Sequence, residues 1–125
     1  MASIVALALL SAPEARAEPS SIVQAEVGSL LASIERSGCE FYRNGRWHDA
    51  QAAQGHLRDK FRYLSAIDLI DSTEDFIERA ATNSSFSGQP YEVRCQGAPT
   101  VTSNKWLRDE LARLRSHNPA ALPPS

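Results

Sequence analysis

The sequence predicts an α+β fold: a single small domain of roughly three to four helices packed on a short antiparallel sheet of about three strands. Three observations predict it. Apolar residues recur at helical spacing over Val23–Ile34, Ala53–Leu64 and Trp106–Leu114. An Asn44-Gly45 pair separates two short aromatic runs, and Tyr91–Cys95 alternates apolar with charged residues.

The chain has 125 residues, with 13 Lys plus Arg against 15 Asp plus Glu and a net charge of −2. That size and balance fit one domain and exclude a collagen-like or wholly disordered chain. With no basic excess, bulk electrostatics favours neither nucleic acid nor an anionic membrane.

Residues Ala2–Ala12 are small or aliphatic, and Ala15-Arg16-Ala17 follows. A short apolar run ending in an A-x-A site reads as a secretory signal peptide over residues 1–17, although no Lys or Arg precedes the run. The run is too short for a membrane span, which needs about 20 apolar residues. The alternative is an apolar helix docked on the domain. Cleavage near Ala17 places the product in the periplasm or outside the cell, as a domain over 18–115 with a disordered tail over 116–125.

Within the domain, Ser20 or Ser21 can cap a first helix whose stripe is Val23, Val27, Leu30, Leu31 and Ile34, with Gly38 just beyond its end. Cys39–Arg43 and Arg46–His48 form a hairpin around Asn44-Gly45. Asp49 caps a second helix, from about Ala50 to Leu64, burying Ala53, Leu57, Phe61 and Leu64. Ile67, Leu69 and Ile70 also require burial. Ser72-Thr73-Glu74-Asp75 resembles a capping box ahead of a short helix that buries Phe76, Ile77 and Ala80. Asn83–Pro90 is a turn-rich loop, Tyr91–Cys95 a half-buried strand, and Thr102 or Ser103 caps a last helix.

Cys39 and Cys95 are the only cysteines. Export and an even count favour a Cys39–Cys95 disulfide, and pairing of the Tyr91–Cys95 strand with the hairpin brings the sulfurs within reach. Its loop of about 57 residues corresponds to roughly 4 kcal/mol of stabilisation. The alternative is two buried thiols.

The ordered set Cys39–Gly45, His56–Lys60, Phe76-Ile77, Ser84–Tyr91 and Trp106-Leu107 resembles the YfeK-like family of small exported proteobacterial proteins of unknown function. The likeness runs from about Leu30 to Arg115. It implies secretion and a compact domain, and it transfers no catalytic residue.

Few polar residues stand out. Lys60 falls inside the apolar sector of the second helix, with His56 on its flank. A lysine there must snorkel, pair with a carboxylate or lose its charge. The nearest acidic partners in sequence are Asp68, Asp71, Glu74 and Asp75. The functional expectation is a polar pocket in which Arg43, His56, Lys60, Ser85, Ser87 and Tyr91 bind a small anion. The competing expectation is a boundary histidine and a lysine stem covering apolar surface. A hydrolase would pair His56 with a loop serine, Ser85 or Ser87, but no G-x-S-x-G elbow occurs. His48, His56 and His117 lack metal-site spacing, so neither metal nor cofactor is expected. Arg43 and Arg46, with Tyr42 and Trp47, could instead meet an envelope protein or an anionic glycan, or simply guard a strand edge. Arg113 and Arg115 suit a helix C-terminus and require no further role. The leading expectation is a non-enzymatic binding or accessory module. The alternatives are the small hydrolase and a pocketless interaction protein.

Overall fold

A computed structural model describes Ser3 and residues 18–117. The rest of the expected leader, and the tail beyond His117, lie outside the described residues. The order is α1 (Ser21–Arg36), β1 (Glu40–Arg43), β2 (Arg46–His48), α2 (Ala50–Ala66), α3 (Thr73–Ala80), β3 (Glu92–Arg94), β4 (Val101–Thr102) and α4 (Ser103–His117). The strands form one antiparallel sheet in the order β2-β1-β3-β4.

Each helix starts on a side-chain cap. Ser20 Oγ accepts from the Val23 amide, Asp49 Oδ1 from Ala52, and Thr102 Oγ1 from Lys105. At α3 the Ser72 hydroxyl accepts from the Asp75 amide. The Asp75 carboxylate returns to the Asp71 amide rather than to Ser72, so the capping box closes one residue early. The hairpin turn requires left-handed backbone at both residues, and Asn44 (φ 52°) and Gly45 (φ 84°) provide it.

The stripe expected on α1 is buried throughout, and α1 packs against α2, α3 and α4. Leu30, Ile34, Phe76, Ile77 and Leu107 are fully enclosed between those helices. On the sheet, Phe41, Tyr91 and Val93 face inward. The Phe41 ring meets Trp106 edge-on, with centroids 6.0 Å apart.

Cys39 and Cys95 are joined by a disulfide, with Cα atoms 4.4 Å apart. They flank the Glu40↔Arg94 pair of β1 and β3, so strand pairing brings them together as expected. The bridge fits an oxidising compartment.

Several details differ from the sequence expectation. The sheet has four strands, because Val101 and Thr102 pair with Val93 and Glu92. A two-residue strand carries no periodicity to read. Helix α2 continues to Ala66, and α4 to His117. Of the apolar trio after α2 only Ile70 is buried, while Ile67 and Leu69 stay exposed. The reason is local: Asp68 takes a left-handed φ of 63°, and the turn swings Ile70 alone under the fold. Among the described residues no helix is long and apolar enough to cross a membrane.

Candidate functional site

The hairpin carries Arg43 and His48 to one wall of a narrow cleft, and α2 forms the facing wall with Ala52, Ala53, His56 and Leu57. Phe41, Tyr42, Tyr91 and Ser103 complete the lining. The cavity volume is about 20 Å³, room for one water-sized group.

At its edge three side chains form a chain of hydrogen bonds. Lys60 Nζ donates to the Tyr91 hydroxyl (3.2 Å) and to the Asn83 carbonyl (3.3 Å). The Tyr91 hydroxyl lies 3.2 Å from His56 Nε2. Burial, reinforced by the positive charges of Arg43 and Lys60, pushes the His56 pKa down to about 4. At neutral pH the imidazole is therefore uncharged. The phenol and the neutral imidazole share one hydrogen bond, whose direction is set by the His56 tautomer. Burial and then Arg43 also lower the Lys60 pKa. The ammonium sits 5.1 Å from the Tyr91 ring centroid, a cation–π contact.

Lys60 thus meets none of its sequence-near carboxylates. It reaches across to a carbonyl and a phenol from the Asn83–Tyr91 segment. Arg43 forms no ion pair among the described residues. Its charge nevertheless bears on His56, Lys60 and Tyr91. No carboxylate lines the cleft.

Of the expected site residues, Arg43, His56, Lys60 and Tyr91 come together. Ser85 and Ser87 do not. Ser87 Oγ donates to Asn44 Oδ1 (2.6 Å), pinning the loop to the hairpin turn, and Ser85 is exposed. The loop turns inward on Ser84 instead, whose hydroxyl accepts from the Phe86 and Ser87 amides. His56 Nε2 therefore faces a phenol and not a loop serine, which removes the geometric basis of the hydrolase expectation. His48, Phe41 and Ser103 were missed as lining residues. Alternation along β1 and β2 could have marked Phe41 and His48 as sharing a face, and their pairing in the ladder confirms it. Among the described residues no group of three or more His, Cys, Asp or Glu side chains is gathered to hold a metal.

A second polar cluster went unforeseen. The Arg115 guanidinium spans two carboxylates: Nε and Nη2 donate to Glu26 (2.8 and 2.9 Å), and Nη1 and Nη2 to Glu74 (both 3.1 Å). Thr73 Oγ1 donates to Glu26 Oε1 (2.6 Å). Glu26 and Thr73 are buried, so this corner ties α1, α3 and α4 together. The hydrogen bonds from Arg115 hold the Glu26 carboxyl below its ordinary pKa. Arg115 is therefore a structural tie, not merely a charge suited to a helix end. Glu26, one helical turn after Val23 and beside Val27, was the available signal: a carboxylate within the apolar stripe.

The model of a family of unknown function, DUF5329, matches residues 21–115. The chain belongs to the DUF5329 family. It is 34% identical over 90 residues to the uncharacterized protein YfeK of Salmonella typhimurium, covering 71% of this chain and 72% of that relative. No solved structure matches. The DUF5329 match spans all four helices and both cysteines, so cleft and ion-pair corner alike lie within the family domain. It carries no assigned activity.

Proposed function

We propose that this DUF5329 domain is a non-enzymatic binding or accessory module that works in the periplasm or outside the cell. A leader removed near Ala17 would deliver it there. Its role is to hold a small anionic ligand in the cleft of Arg43, His56 and Tyr91, with Lys60 supporting the phenol.

One observation carries this reading. Arg43 stands near His56 and Lys60 with no carboxylate in the cleft lining, and the two cations outweigh the nearby Asp59 in their effect on His56. An anion would supply the missing charge and satisfy the guanidinium fork. The disulfide supports export, since such bonds persist in oxidising compartments.

Thermal melting in a panel of sodium salts, against chloride at equal ionic strength, tests the ligand reading. At least one small anion should raise the melting temperature of the wild type and leave Arg43→Gln unmoved. An identical response of both proteins to every salt refutes it. Cell fractionation with sequencing of the mature N-terminus tests export.

A second reading rests on Phe86. Its side chain is 93% exposed at the tip of a loop that Ser84 and Ser87 hold in shape. Such a fixed aromatic, next to the turn bearing Arg43 and Arg46, suits docking to an envelope protein. A photo-crosslinker at position 86 that gives one protein adduct, lost on reversing charge at Arg46, would support it.

A further inference from the structure

The cleft also restricts which anion can fit. Its polar side chains, Arg43 and His48 from the hairpin, His56 from α2, and Tyr91 and Ser103, share the lining with apolar Phe41, Ala53 and Leu57, and Arg43 is the one that carries charge at neutral pH. At the helix starts that border it, the amides of the lining residues Ala52, Ala53 and Ser103 are already engaged. The Ala52 amide is taken by Asp49 Oδ1 (2.8 Å), Ala53 by the Asp49 carbonyl (3.0 Å), and Ser103 by the Tyr91 carbonyl (2.9 Å). Sites for phosphate usually build on such amides.

We infer that the cleft takes a carboxylate joined to a short, unbranched apolar group, with the carboxylate on Arg43 and the chain on Phe41, Ala53 and Leu57. This rests on the reading of the cleft as an anion site and names its ligand class. The planar carboxylate matches the guanidinium fork with two parallel hydrogen bonds. Space for one water-sized group admits a methyl, with a second carbon at its open mouth, and excludes a ring or a branched chain. The same chemistry occurs in a free short-chain acid and at the C-terminus of a peptide ending in a small apolar residue.

The test is an NMR titration of the oxidised protein, following the His56 and Tyr91 signals. The probes are sodium formate, acetate, propionate, pivalate, phosphate and sulfate. Affinity should rise about three- to four-fold with each added methylene from formate to propionate, as apolar surface is covered. It should collapse for pivalate and be at least ten-fold weaker for phosphate and sulfate. Arg43→Gln should abolish the propionate shift. Ala52→Val, at an exposed lining position that leaves the core untouched, should weaken propionate while sparing formate, and it serves if Arg43→Gln fails to fold. Binding of phosphate or sulfate as tight as propionate overturns the inference and leaves the anion reading intact. If no anion shifts either residue, both fall. A peptide acid ending in alanine, compared with its amide, identifies the source. Tighter binding of the acid than of propionate supports a peptide terminus, and binding of the free acids alone supports a small molecule.

Discussion

Two polar clusters in this small domain follow opposite rules. At the corner of α1, α3 and α4, one guanidinium is matched by two carboxylates and a threonine hydroxyl. In the cleft between the hairpin and α2, the cationic side chains stand together without a carboxylate. A matched buried cluster fixes how helices sit and leaves nothing for a ligand to supply. An unmatched one is held by the surrounding fold, and on the proposed reading its partner is the ligand. The difference separates residues kept for structure from residues free to bind.

The strongest perturbation removes the link both regions share. The disulfide tethers the end of α1, which carries Glu26, to β3, which pairs with the strand carrying Arg43. Replacing both cysteines by alanine should destabilise the fold by about 4 kcal/mol in the chain-entropy model. Urea denaturation checks it. A loss below about 1 kcal/mol would mean that the bridge closes a contact the unfolded chain already makes.

The next experiment sets the clusters against each other. Arg115→Ala leaves two carboxylates facing each other, one of them buried, and should cost about 3 kcal/mol. Arg43→Ala removes a cation with no ion-pair partner and should change stability by no more than about 0.5 kcal/mol. Equal losses for the two would erase the contrast. Tyr91→Phe lies between them: it keeps the ring and removes the oxygen joining Lys60 to His56. About 1 kcal/mol should be lost, read in the same urea series.

The sequence revealed one cluster better than the other for a physical reason. Helices, caps and the hairpin follow from local rules, so α1, the Asn44-Gly45 turn and the Asp49 cap were legible residue by residue. Lys60 was legible because a lysine in an apolar stripe must find a solution. Which solution it found was not, since Asn83 and Tyr91 arrive from a loop over twenty residues downstream. The serines misled because loop hydroxyls were credited with ligand contact, whereas Ser84 and Ser87 shape the loop itself. The Glu26–Arg115 pair joins residues 89 apart in sequence. Only packing of α1 against α4 brings them together, and no local pattern encodes that. Strand β4 escaped for the opposite reason: two residues are too few to show a period.

A further effect separates the clusters along the pH axis. The folded-state pKa of His56, about 4, lies below its ordinary 6.5. As pH falls through 6.5 the unfolded chain takes up a proton that the folded one refuses, so stability is full above that point and drains away down to about pH 4. The groups that set this are Arg43, Lys60 and His48, which oppose the charge, and Asp59, which favours it. Taken whole, the shift corresponds to about 3 kcal/mol, but the imidazole is partly exposed and solvent screens it, leaving about 1 kcal/mol. His56→Gln should flatten that slope between pH 6.5 and 4. Glu26 acts in another window. Its pKa is lowered from 4.5, so its contribution is present above 4.5 and lost as pH falls through its lower folded value. Urea midpoints of wild type, His56→Gln and Glu26→Gln from pH 7 to 3 should therefore diverge in two separate ranges. A His56→Gln curve parallel to wild type throughout would mean that the imidazole titrates in the fold as it does in the unfolded chain.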